Sequence, residues 1–155
     1  MVYFPCMRWL IAITLMLVMG VSNVEAGKAR ISKVLPHLLD EKGRHTLSPS
    51  LYERDAYQAH LRANPDLCTA IRFDIRWAGI NLKRDALKLK VELRVSGEPN
   101  SIVMERQIKP LGLSGSWSQI TLKGEEFKQA GKIIAWRTTL WEGDTEVAEL
   151  KSFLW

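Results

Sequence analysis

The sequence predicts a mainly β protein, an antiparallel two-sheet immunoglobulin-like sandwich with one inserted helix near residues 51–63. Three observations carry this. Apolar and polar residues alternate through most of residues 71–155, turn residues interrupt the alternation at short intervals, and the clear helix signal comes early and alone. A period of two marks half-buried strands, and short strands punctuated by turns close into a two-layer fold. The sequence has no strand–helix–strand alternation, so a parallel sheet is not expected.

Composition sets the outer bounds. Of 155 residues, 22 are Lys or Arg and 17 Asp or Glu, a formal net charge of +5, and 46% are apolar. These values exclude a disordered tail, a collagen-like chain and a polytopic membrane protein. At the start, a single basic residue, Arg8, precedes the run WLIAITLMLVMGV from Trp9 to Val21, in which only Thr14 is polar. Small residues follow at Val24 and Ala26, so residues 1–26 read as a secretory signal peptide cleaved before Gly27. The run is shorter than the roughly 20 apolar residues a membrane-spanning helix needs. No cysteine follows it to accept a lipid. Residues 27–155 are then a single exported domain, periplasmic or extracellular, with Cys68 as its only thiol and no internal disulfide.

The elements follow in order. Ile31 to Leu39 is apolar and broken by Pro36, which suits an edge strand, and Asp40-Glu41-Lys42-Gly43 makes a turn. Ser50 followed by Glu53 is a capping box, so a helix begins at Leu51 and stops at Ala63, because Asn64 precedes Pro65. Its small face, Tyr52, Ala56, Ala59 and Ala63, is expected to lie on a larger surface. Ile71, Phe73, Ile75 and Trp77 form one alternating strand, and Leu87, Leu89, Val91, Leu93 and Val95 another. Pairing them as a hairpin with Trp77 opposite Leu87 sets Asp74 against Lys90 and Arg72 against Glu92, a charge match that supports the register. Further strands are expected at Ile102 to Ile108 and Ser118 to Leu122, around a Gly-Ser loop at 111–116. The last hairpin joins Ile133–Trp141 to Val147–Trp155 across Glu142-Gly143-Asp144-Thr145. With Leu140 opposite Ala148, the core face is Ile134, Trp136, Thr138, Leu140, Ala148, Leu150, Ser152 and Leu154. The outer face is Ile133, Ala135, Arg137, Thr139, Trp141, Val147, Glu149, Lys151, Phe153 and Trp155.

The segment GKIIAWRTTLWEGDTEVAELKSFLW, preceded by the ITLKGEEF corner, resembles the closing strands of immunoglobulin-like and fibronectin type III-like modules. The resemblance covers about residues 71–155, is one of fold, and implies a two-sheet sandwich with a long final hairpin. The chain departs from true immunoglobulin domains in lacking paired cysteines and in carrying a helix before the second strand. It also resembles small exported bacterial proteins of unassigned function, which implies a compartment and no chemistry.

Catalytic signals are sparse. His37, His45 and His60 lack metal-ligand spacing, and the string Gly112-Leu113-Ser114-Gly115-Ser116 lacks the second glycine of a nucleophile elbow. No phosphate-cradling or dinucleotide-binding glycine motif occurs, and Glu125-Glu126 sits at a sheet corner. No enzyme activity, cofactor or metal is therefore expected. An enzyme reading would have to begin where His37, Asp40, Glu41 and His45 converge on one pocket. Arg76, Lys83, Arg84, Lys88 and Arg94 gather near the expected first hairpin and are candidates for an anionic partner, weighed against an ordinary solvated face. Nucleic acid is not expected, since no aromatic interleaves this group to stack on bases.

Trp141, Phe153 and Trp155 are the sharper signal, because an outward strand face should read polar. They are candidates for binding a protein partner in the cell envelope or, as a flat platform, a polysaccharide, with Arg137, Glu149 and Lys151 as polar neighbours. The competing expectation is that the helix or the first strand covers them. A lipid-facing barrel strand is excluded by Glu149 and Lys151 on the same face.

Overall fold

The structure, a computed structural model, describes residues 28–109 and 115–155. The expected signal peptide and the tip of the Gly-Ser loop lie outside the described residues. Seven strands run β1 Lys28–Leu39, β2 Ala70–Ile80, β3 Leu87–Val95, β4 Ile102–Gln107, β5 Ser116–Lys123, β6 Ile133–Glu142 and β7 Thr145–Lys151, with helices α1 Leu51–Ala63 and α2 Gly124–Ala130. They form two antiparallel sheets, one of three strands in the order β1-β2-β5 and one of four in the order β4-β3-β6-β7. One core lies between them.

The alternating residues fill that core as expected. Ile71, Phe73, Ile75 and Trp77 of β2 and Leu87, Leu89, Val91 and Leu93 of β3 are all buried in a single cluster. Each contributes about 1.5–3 kcal/mol of burial. The Trp77 indole N–H donates to Ser118 Oγ at 3.0 Å, so the ring is buried with its polar atom satisfied.

The expected β2–β3 hairpin does not form. β2 pairs with β1 and β5, and β3 pairs with β4 and β6. The connection between them, with Asn81 at φ 58° and a 3-10 turn at Arg84–Ala86, carries the chain from one sheet to the other. Two strands with complete apolar faces bury more area facing each other than lying side by side. That outweighs the few tenths of a kcal/mol per cross-strand charge pair on which the expected register rested. Arg72 and Asp74 instead bond each other, and Lys90 reaches Glu92 on its own strand.

The last hairpin keeps Leu140 opposite Ala148, but a bulge follows, so Trp141 pairs with Glu146 and Glu142 with Thr145. Val147 is the extra residue, and it packs against the core rather than lying on the outer face. Gly143 closes the turn at φ 58°. β7 ends at Lys151, earlier than expected, and Ile134 and Leu154 lie beyond the core, 46% and 69% exposed.

Helix α1 has the expected bounds, and Ser50 Oγ accepts from the Glu53 N–H. Its buried face differs: Gln58 and Leu61 point inward, while Tyr52, Ala56, Ala59 and Ala63 are exposed. Gln58 completes the free edge of β1, its Oε1 accepting from the Leu38 N–H and its Nε2 donating to the carbonyls of Leu38 and His45, each at 2.9 Å. A face of alanines has little area to offer, whereas three backbone groups without sheet partners make a strong demand. The main packing partners of α1 are β1 and the 3-10 turn Pro65–Leu67, so the helix sits at the edge of the three-stranded sheet. The corner after β5 also differs from expectation. It winds into the short helix α2, with Glu125 and Glu126 in the first turn and Phe127 and Ala130 on the core. At one side β1 runs beside β7, and at the other β4 approaches β5.

Candidate functional site

Of the predicted aromatics, Trp141 lies on the outer face of the four-stranded sheet and Trp155 against Arg94 of β3, while Phe153 falls on a turn past the end of β7. Register sets Trp141 beside Lys88, Thr139 beside Lys90, Arg137 beside Glu92 and Ala135 beside Arg94. Arg137 is the hub of the ion pairs, donating to Glu149 at 2.6 Å, Glu146 at 3.1 Å and Glu92 at 3.3 Å. Its bond to Glu149 raises the Arg137 pKa and holds the Glu149 carboxyl below its ordinary value.

Trp141 is half-buried, with its indole N–H donating to Thr139 Oγ1 at 2.8 Å. Trp155 lies 4.3 Å from the Arg94 guanidinium in a cation–π contact. Lys88, beside Trp141, and Arg94, which holds Trp155, are six positions apart on β3, about 20 Å along the strand at roughly 3.3 Å per residue. The two indoles do not make one flat platform. Phe153 is 100% exposed, and Leu154 after it in the chain is 69% exposed. It sits on a turn fixed by three bonds: Ser152 N–H to Trp136 O, Trp136 N–H to Ser152 Oγ, and Trp155 N–H to Ser152 O.

The basic candidates are not one patch, because the hairpin meant to gather them does not form. Arg76 is on the outer face of the three-stranded sheet opposite Trp117, Lys83 and Arg84 are in the connecting turn, Lys88 pairs with Glu105 at 3.0 Å, and Arg94 stacks on Trp155.

His37 and His45 do meet, with ring centroids 4.8 Å apart. The acid that joins them is Asp74, not Asp40 or Glu41. Asp74 Oδ2 accepts from His37 Nδ1 at 2.8 Å and from Arg72 Nη2 at 3.0 Å, and Arg72 Nη2 also reaches His45 Nδ1 at 3.3 Å. Burial raises the Asp74 pKa, but the bonds from His37 and Arg72 outweigh it and leave the carboxyl below its ordinary value. Burial lowers the His45 pKa, and the charges of Arg72 and His37 add to that. Asp40 instead ties its own loop together, accepting from the N–H groups of Lys42 and Arg44, the Arg44 guanidinium and the Tyr57 hydroxyl. Burial opposes ionisation there too, yet those four donors bring its pKa to about 2.

Among the described residues neither His37 nor His45 bonds a Ser, Thr or Cys, and no group of three or more His, Cys, Asp or Glu side chains is placed to hold a metal. Cys68 is half-buried, its Sγ 3.4 Å from the Leu61 carbonyl, and burial pushes its thiol pKa up, away from reactivity.

Sequence reasoning passed over Trp117. Its signal was a large apolar residue at an outward position of β5, where 49% of it is exposed. Neither protein-family models nor curated proteins match the chain.

Proposed function

We propose that this chain is an exported, non-enzymatic, immunoglobulin-like module that binds a protein partner in the cell envelope through the C-terminal end of its four-stranded sheet. The observation that carries the reading is the full exposure of Phe153 on a short turn held by hydrogen bonds, followed in the chain by the exposed Leu154. An apolar group presented this way costs solubility unless a partner covers it, and its fixed turn loses little entropy on binding. Arg94 and Lys132, at the same end of β3 and β6, form no ion pair among the described residues, so the complementary surface is apolar with acidic groups at its rim. The immunoglobulin-like part of the reading is supported by three strands facing four and by the long closing hairpin. Export is supported by the composition of residues 1–26.

A photo-crosslinking residue at position 153, in cells expressing the full chain, tests this against the same residue at position 52 on exposed α1. A discrete protein adduct at 153 alone, weakened by R94E, is the expected result. Equal labelling at both positions, or none at 153, overturns it.

A further inference from the structure

The side of the molecule where β4 approaches β5 holds a cleft of about 290 Å³, lined by residues 106–109 on one lip and 117–119 on the other. Its chemistry differs from that of the C-terminal turn. Trp117 presents a half-exposed indole, and its register partner on β2 is the exposed Arg76. Arg106 crosses the cleft, its Nη1 donating to the Gln119 carbonyl at 2.6 Å, which steadies a guanidinium over the opening. Lys109 stands at the rim, 4.0 Å from the exposed Asp85. Asp74, the register partner of Gln119, is already held by His37 and Arg72, and Glu105, next to Arg106 in sequence, pairs with Lys88. Among the described residues that line the cleft, the charged side chains are those of Arg106 and Lys109. Its volume is at the small end of ligand sites, the size of one ring rather than a peptide strand.

We propose that this cleft binds an anionic sugar residue of a polysaccharide, Trp117 stacking on the apolar face of the ring while Arg106, Arg76 and Lys109 receive its carboxylate or sulfate. The guanidinium of Arg106 suits planar, two-point recognition of a carboxylate. This site shares no residue with the proposed protein-binding end, and neither reading depends on the other.

The test is titration of the full chain with oligogalacturonate, with a sulfated oligosaccharide and with a neutral oligosaccharide of similar length, followed by calorimetry. Binding of an anionic oligosaccharide is expected, with at least tenfold loss in W117A, retention in W117Y, and at least tenfold loss in R106A/K109A. K42A/R62A, which removes as many exposed charges beside β1, at the opposite edge of the three-stranded sheet from β5, is expected to bind as the unaltered chain does. Preference between the carboxylated and the sulfated sugar identifies which anion the cleft takes. Equal loss in both double variants overturns the proposal, as do binding of the neutral sugar to the same extent, indifference to W117A, or no binding at all.

Discussion

The two sheets expose outer faces of opposite character. On the three-stranded sheet, helix α1 lies by the edge strand, and the buried Asp40 and Gln58 there are each held by several hydrogen bonds. On the four-stranded sheet, the charges are many, partly solvated and traded among neighbours, as Arg137 shows with its three glutamates. Equal numbers of ion pairs therefore do not mean equal contributions to stability. A buried group whose partners are backbone N–H groups cannot be replaced by water, whereas an exposed pair can.

The comparison is sharpest at Asp40, which is 5% exposed and accepts from four donors. Asp40→Ala leaves the Tyr57 hydroxyl and two N–H groups without their acceptor, and a loss of about 3 kcal/mol in urea unfolding is expected. A loss under about 1 kcal/mol would show that water enters the loop and that the contrast between the faces is overstated. Gln58→Ala removes three bonds to backbone and should cost about 2 kcal/mol, with faster hydrogen exchange at the Leu38 amide as the specific readout.

Acid separates the faces as well. The folded pKa of His45 is below the ordinary 6.5, so its neutral form contributes stability that is present above pH 6.5 and lost as pH falls below it. Asp40 behaves alike in a lower window, its contribution present above 3.8 and lost as pH falls toward 2. His45→Gln should flatten the fall in melting temperature between pH 7 and pH 5, and an unchanged slope in that variant sinks the assignment. The smallest effect belongs to the open face. Arg137→Ala, despite three ion pairs, should cost no more than about 1 kcal/mol, and that cost should shrink in high salt. A cost matching that of Asp40→Ala would erase the distinction between the two faces.

Much of the fold was legible because it is local. Ser50 and Pro65 bound α1, alternation identified which residues of β2 and β3 turn inward, and Leu140 opposite Ala148 followed from a short turn. The candidate sites were legible only in part. Trp141, Phe153 and Trp155 belong to one hairpin in sequence, but strand length places the two indoles far apart and leaves Phe153 as the fully exposed ring.

By itself, the sequence determined the β class, the helix and its cap, and the apolar faces of β2 and β3, since each depends on spacings of two to four residues along the chain. The tertiary structure alone decided that β2 and β3 face each other across the core, that Gln58 completes the edge of β1, and that His37 finds Asp74 rather than Asp40. The last two choices join residues 20 and 37 positions apart, and all three are settled by total buried area and by unmet backbone hydrogen bonds. Neither quantity is written in a local pattern.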